Sequence, residues 1–263
     1  MMGRPLKKTR KRKLEANAND DSGSCRTTKS PYFSTNADTK PAEKDSARLP
    51  ASFFDKSSED LAKSLLGQRL VRLLSSGERL AGTIVETEAY LGKEDSAAHS
   101  YKGHRSDRVE AMYMSPGTCY VYLIYGMYDC LNISSKGNGK AVLIRALEPK
   151  EGISTIRKFR SRRRKSSTKE LKLKDLCSGP GKLTEALQIT KAEVNQTSLV
   201  SSSALWLERG EGQIEGTDIV ACPRIGVDYA TTEWVKKPLR FYVRGVGSVS
   251  KRDKAAEKAT EDN

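Results

Sequence analysis

Glu86, Glu88 and Tyr90 stand two residues apart in the stretch Ala81-Gly82-Thr83-Ile84-Val85-Glu86-Thr87-Glu88-Ala89-Tyr90. A strand has a side-chain period of two, so both carboxylates and the ring share one face, and the same alternation places Ile84 beside them. An acid next to an aromatic platform suits chemistry on a flat ring. Arg145 could balance that acid. It sits in Ala141-Val142-Leu143-Ile144-Arg145-Ala146-Leu147, whose other members are apolar, and a guanidinium buried there needs an anionic or carbonyl partner, for which Glu88 is a candidate. Such a pairing favours the ionised carboxylate, and an ionised carboxylate that holds a water is a general base. A purely structural ion pair is the other reading.

A second cluster lies in Cys119-Tyr120-Val121-Tyr122-Leu123-Ile124-Tyr125-Gly126-Met127-Tyr128-Asp129-Cys130-Leu131-Asn132. Period two puts Tyr120 and Tyr122 on one face, and Tyr125-Gly126-Met127-Tyr128 makes a turn with an aromatic and a thioether at its tip. Exposing apolar groups at a tip is costly. Tyr125 therefore either caps the core under a neighbouring loop or serves as a wedge pushed between base pairs. His99 lies among small residues, Ala97-Ala98-His99-Ser100, which let a ligand approach the backbone, although a lone histidine is more often a structural group. His104, with Lys102, Arg105 and Arg108 around it, reads as a phosphate-facing loop.

These residues need a scaffold, and 263 residues with 37% hydrophobic content supply one domain plus a tail. Lys and Arg number 47 against 33 acidic residues, a net charge of +14 that favours a polyanionic partner, nucleic acid first and an anionic membrane second. No apolar run approaches the roughly 18 residues of a spanning helix, and the N-terminal segment lacks a signal-peptide core, so a soluble intracellular protein is expected. The five cysteines, Cys25, Cys119, Cys130, Cys177 and Cys222, include no C-x-x-C pair, and His99 and His104 are the only histidines. Neither a metal site nor a disulfide framework is expected.

Residues 1–48 carry the run Lys7-Lys8-Thr9-Arg10-Lys11-Arg12-Lys13 among Asn, Asp, Ser and Thr, without apolar periodicity. They read as a disordered basic tail, its run being a nuclear address, a non-specific DNA-binding arm or a solvated charge run. The folded domain is expected over 49–245. A capping box at Ser57-Ser58-Glu59-Asp60 starts a helix bearing Leu61, Leu65 and Leu66. Strands are expected at 68–74, 80–90, 118–124, 129–134 and 140–147, with antiparallel hairpins as the simplest connection. A helix then runs from Glu151 into a mobile basic loop at about 160–172, and a shorter helix covers 181–188. Strands return at 205–208, 219–227 and 239–244, and 246–263 is expected to be a charged, frayed tail.

Several familiar sites are missing. Gly137-Asn138-Gly139-Lys140 and Gly179-Pro180-Gly181-Lys182 lack the spacing of a phosphate-binding P-loop, and there is neither a Gly-x-Ser-x-Gly elbow nor a metal-binding His pair. What the chain does carry is an ordered set. Ile84 to Gly92, Glu94 to Ser100, Pro116 to Met127, Asn132-Ile133-Ser134, Val142 to Pro149, Leu176 to Leu183 and Lys237 to Gly245 together resemble the alkyladenine (3-methyladenine) DNA glycosylase family, in the family's order, across nearly all of 49–245.

The resemblance implies an α+β fold, a single mixed domain with an antiparallel β-sheet core surrounded by helices, with no cofactor and no metal. It gives Glu88 the role of general base for the water that attacks the anomeric carbon, with Arg145 and the backbone carbonyl of Ile225 placing that water. Tyr90 and Tyr122, with His99, would sandwich the flipped base, which suits a cationic, electron-poor alkylpurine. Asn132 would crowd the amino group of a normal guanine, and the backbone at Ala97 and His99 would read the purine edge. Tyr125 becomes the intercalating wedge with Met127 and Tyr128 beside it, and Arg105, Arg108, Ser134 and Lys182 would face the DNA backbone. Glu86 falls to a structural role.

Two departures from the family stand out. Where a Thr-Pro-Arg-Asn-like turn is common, this chain has Ser106-Asp107-Arg108-Val109-Glu110, which puts two acids near the DNA backbone, and Tyr229 replaces a frequent histidine. The expectation is a monomeric nuclear enzyme of base excision repair acting on damaged duplex DNA, with no membrane partner. An inert nucleic-acid-binding module on the same fold is the alternative. A lyase would need a low-pKa amine near the sugar, and no candidate is placed for it.

Overall fold

Ser57 shows how local chemistry sets the first elements: its hydroxyl oxygen accepts the Asp60 N–H at 3.1 Å and caps a helix that buries Leu61, Ala62 and Leu65. The computed structural model describes residues 47–162, 170–212 and 214–261. The basic run at 7–13, Cys25 and most of the expected basic loop lie outside the described residues. In chain order the elements are α1 (Ala51–Phe54), α2 (Ser58–Leu65), β1 (Arg69–Leu73), β2 (Arg79–Tyr90), β3 (Cys119–Ile124), β4 (Tyr128–Ser134), β5 (Ala141–Glu151), α3 (Ile153–Ser161), α4 (Pro180–Ala186), α5 (Lys191–Val194), β6 (Leu205–Glu208), β7 (Ile219–Cys222), α6 (Thr232–Lys236), β8 (Arg240–Val243) and α7 (Lys254–Glu261).

The strands form one eight-stranded antiparallel sheet flanked by helices, in the order β3-β4-β5-β2-β1-β6, with β8 pairing β2 and β7. This is the expected α+β architecture. Long β2 is its axis: β5 runs along one edge, while β1 takes the first half of the other edge and β8 the second. The main core, with Leu61, Leu65, Ile84, Ala89, Ile144 and Leu147, fills one face. A smaller core of Val85, Ala146, Val220, Cys222, Tyr242 and Val249 fills another. No helix among the described residues is long and apolar enough to cross a membrane.

The β2–β5 register slips three times, between Ala81 and Gly82, between Ile84 and Glu86 and again between Glu86 and Thr87. A bulge breaks strict alternation and re-aims side chains. Ile84 accordingly packs in the main core with Ala89 while Val85 joins the smaller one, so the expectation that Ile84 shares the face of Glu86 and Glu88 is corrected. Past the bulge the alternation holds, with the Thr87 hydroxyl donating to Ala62 O at 2.9 Å on the core side.

Other boundaries moved for equally local reasons. Ala47, ahead of the expected start at 49, is already tied to the chain near β6: its carbonyl accepts Arg209 N–H at 2.8 Å. β5 continues to Glu151 because it keeps pairing β2 as far as Ala81. The helix then starts past Gly152, whose φ of +67° makes the corner and where a Cβ would lie 2.2 Å from Leu80. The strand expected over 219–227 ends at Cys222, since Pro223 has no N–H to give a ladder. The segment after Gly245 is not frayed. It crosses back over the sheet and ends in α7, with Val249 and Glu257 buried and the Tyr242 hydroxyl donating to Glu257 at 3.0 Å.

Candidate active site

β2 carries Glu86, Glu88 and Tyr90 side by side, and the bulge brings Arg145 of β5 against them. Glu88 is fully buried. Its Oε1 accepts the Ile225 N–H at 2.8 Å and lies 3.1 Å from Arg145 Nη1, while Oε2 accepts the Tyr90 hydroxyl at 2.9 Å. Three donors converge on it, the surroundings of an anion. Glu86, also fully buried, accepts Arg145 Nε at 3.0 Å and Arg240 Nη1 at 3.0 Å, with Ser250 closing its other side. Two carboxylates and two guanidiniums thus form one neutral buried cluster. Burial works against the charge on Arg145, and Glu88 and Glu86 more than offset it. Ile225 contributes its amide here, whereas the sequence pointed to its carbonyl.

Glu88 lies directly behind the wall of a cleft of about 790 Å³, a size that accepts a small ligand. Tyr90, His99, Tyr122, Arg145, Ile225 and Tyr229 line it, with Tyr125 and Arg108 at its edge. The His99 and Tyr122 rings meet edge-on, 4.6 Å apart at 79°. Burial, then the charge on Arg108, pulls His99 below its usual value, so its ring is uncharged at neutral pH. Burial, then the charge on Glu88, pushes the Tyr90 phenol well above its usual range, which keeps the proton it donates to Glu88. Arg224 covers one face of the Tyr90 ring at 4.7 Å. Asn132 and Ala97 line an adjoining slot; the Asn132 amide donates to Tyr120 O at 3.1 Å, and Ala97 O accepts the Tyr229 hydroxyl at 2.8 Å.

At the tip of the β3–β4 hairpin, Tyr125 and Gly126 both have positive φ, 53° and 66°, and Met127 N–H closes the turn on Ile124 O at 3.1 Å. A tyrosine in that conformation is strained, and here it is also 82% exposed. Met127 and Tyr128 flank it, and Tyr128 rests on Gly181 at the start of α4. Tyr125 and Lys182 share a groove beside the cleft.

A matching family model, described as methylpurine-DNA glycosylase, spans residues 52–246. The chain belongs to the methylpurine-DNA glycosylase family. It is 53% identical over 215 residues to the DNA-3-methyladenine glycosylase of Homo sapiens, covering 81% of this chain and 72% of that one. It is 51% identical over 228 residues to the mouse (Mus musculus) DNA-3-methyladenine glycosylase, covering 86% and 66%. A putative 3-methyladenine DNA glycosylase of Bacillus cereus is 45% identical over 208 residues, covering 78% of this chain and all of its own length. As a member of the family, the chain is a DNA glycosylase, a hydrolase of DNA repair whose substrate is DNA.

Within this glycosylase the residues expected along a DNA backbone divide. Arg108 reaches the cleft and Lys182 the neighbouring groove. Arg105 is held by both oxygens of Glu110, at 2.8 and 2.6 Å, and covers the Tyr113 ring, so one of the two departing acids is spent on an internal pair. Ser134 is corrected: it is fully buried, and its hydroxyl donates to Ala111 O at 2.5 Å, so it braces a turn and faces no phosphate.

Several glycosylase residues at the site were given no role by the sequence reading. Tyr120 lies beneath Tyr122 with its hydroxyl 2.7 Å from His99 Nδ1; its alternation with Tyr122 was the available signal. Asp95 and Arg224 form a fully buried bidentate pair at 2.6 and 2.9 Å, and Asp95 also accepts the Leu91 and Ala97 amides. No spacing signals it. Thr231 N–H donates to Ser96 Oγ at 3.0 Å, adding another tie between the same two loops. Burial pushes the Cys130 thiol beside the cleft up to about 11, which keeps it unreactive.

Proposed function

We propose that this glycosylase extrudes an alkylated or deaminated purine from duplex DNA into the aromatic cleft and hydrolyses its N-glycosidic bond with a water activated by Glu88. The observation that carries this reading is the carboxylate of Glu88 fixed by Ile225, Tyr90 and Arg145, all three of which line the cleft. Water oxygen bonds to the anomeric carbon as the bond from that carbon to the purine nitrogen breaks. The electron pair leaves with the base, and the water proton passes to Glu88. An alkylated purine is already a good leaving group, so positioning a water and stabilising oxocarbenium character suffice. The water approaches Glu88 from the cleft side lined by Tyr90, Arg145 and Ile225. His99 and Tyr122 offer uncharged aromatic surface to a cationic base, and Tyr125 fills the space the base leaves.

The names of the relatives support 3-methyladenine as a substrate. The basic run at 7–13 supports nuclear import, and a single chain carries the whole proposed site, in keeping with a monomer. The test is release of free base from duplex DNA containing 3-methyladenine. Wild type should release it and Glu88→Gln should be slower by at least about a hundredfold, a positioned general base being worth 10²–10⁴. Equal rates would remove Glu88 from the chemistry, and lesion binding without release by wild type would leave an inert binding module.

A further inference from the structure

Ser250 lies beyond residue 246, where the family match ends, in a strap that leaves β8, packs over the sheet with Val249 in the smaller core and enters α7. The strap reaches the buried carboxylate cluster. Ser250 donates its N–H to Glu86 Oε2 at 2.6 Å and its hydroxyl to Glu86 Oε1 at 2.8 Å, one donor to each oxygen. Its hydroxyl oxygen also stands 3.4 Å from Arg145 Nη2. The strap is anchored on both sides of this contact: before it Val249 is buried in the smaller core, and after it Arg240 Nη1 donates to Lys251 O at 2.7 Å and the Tyr242 hydroxyl accepts Asp253 N–H at 2.9 Å.

We infer that this C-terminal strap is part of the catalytic machinery, with Ser250 as a positioning residue that sets Glu88 through Glu86 and Arg145. The inference rests on the role proposed above for Glu88. Arg145 is shared, its Nε on Glu86 and its Nη1 on Glu88, so the plane of its guanidinium is fixed only while the Glu86 carboxylate keeps its orientation. Both guanidinium donors and the Ser250 hydroxyl fall on Oε1. The amide of Ser250 holds Oε2. Without the Ser250 hydroxyl the grip falls to the amide alone, the carboxylate gains freedom about its last torsion, Arg145 follows it, and the geometry of Glu88 toward a water is loosened. Ser250 touches neither base nor sugar in this scheme.

The test is Ser250→Ala and Ser250→Thr in the full chain, read by single-turnover excision of 3-methyladenine and by affinity for a duplex carrying a non-cleavable lesion analogue. Ser250→Ala should slow excision about tenfold, the effect of one charge-assisted hydrogen bond on a barrier, with affinity within about twofold of wild type. Ser250→Thr, which keeps the hydroxyl, should restore most of the rate. Excision by Ser250→Ala at the wild-type rate, a parallel loss of rate and affinity, or a threonine variant as slow as the alanine one would each overturn the inference. Glu88→Gln run alongside separates the two readings. If it is inactive while Ser250→Ala is unimpaired, only the strap inference fails; if it is fully active, the role of Glu88 itself fails.

Discussion

Arg145 bridges the two carboxylates of β2, its Nε 3.0 Å from Glu86 and its Nη1 3.1 Å from Glu88. A lysine has one compact charge and cannot span both. Arg145→Lys should fold but excise at least about tenfold more slowly, whereas Arg145→Met leaves two buried carboxylates short of a cation and should destabilise by roughly 3–5 kcal/mol. Urea unfolding and single-turnover kinetics on the two variants check this; a lysine variant with full activity would count against the bridge.

Tyr125 should separate stability from function. It is exposed at the hairpin tip with a φ of 53°, a conformation that costs a side chain about 1 kcal/mol or more and glycine almost nothing. Tyr125→Gly should therefore melt no lower than wild type and up to about 2–4 °C higher. The same variant should lose roughly ten- to a hundredfold in lesion-DNA affinity, an aromatic stack being worth roughly 1–3 kcal/mol. A lower melting point with unchanged affinity would remove Tyr125 from DNA binding.

His99 predicts the acid side of the pH profile. Its folded value lies below the usual 6.5, chiefly through burial, so the unfolded chain binds the extra proton first as pH falls. Stability should then be at its full value above about 6.5 and decline as pH drops through the folded value. A His99→Gln variant should lose less between pH 7.5 and 5.5, as read from urea midpoints. Identical losses in both proteins would show that other groups set the acid limb.

Tyr229 donates its hydroxyl to the Ala97 carbonyl at the base slot. Tyr229→Phe frees that acceptor, at a cost of about 1 kcal/mol in stability. The freed carbonyl should favour purines bearing an exocyclic amino group over hypoxanthine, changing their excision ratio by about three- to tenfold. An unchanged ratio across a lesion panel would place Tyr229 outside specificity.

What could be read from the chain follows the range of each interaction. The alternation of Glu86, Glu88 and Tyr90, the paired Tyr120 and Tyr122 and the cap at Ser57 are local, and they led to the right strands, helix and cleft walls. The bulge at Val85 was invisible because it depends on pairing with β5. Asp95 with Arg224, Ala97 with Tyr229 and Glu86 with Ser250 join residues 129, 132 and 164 positions apart, where periodicity carries no information. The C-terminal segment looked frayed for the same reason: its charges are spent on partners far back in the chain, as Glu257 is on Tyr242.

The ties between residues 95–97 and 224–231 have a wider consequence. One loop carries the Ala97 backbone that lines the slot, the other carries the amide that holds Glu88, and a buried guanidinium–carboxylate pair with flanking hydrogen bonds makes them a single part. Under the proposed mechanism, a misfitting base that pushes on one loop also displaces the support of Glu88. On that reading, selectivity against a wrong base needs no second site, because a guest that displaces one loop loosens the hold on Glu88.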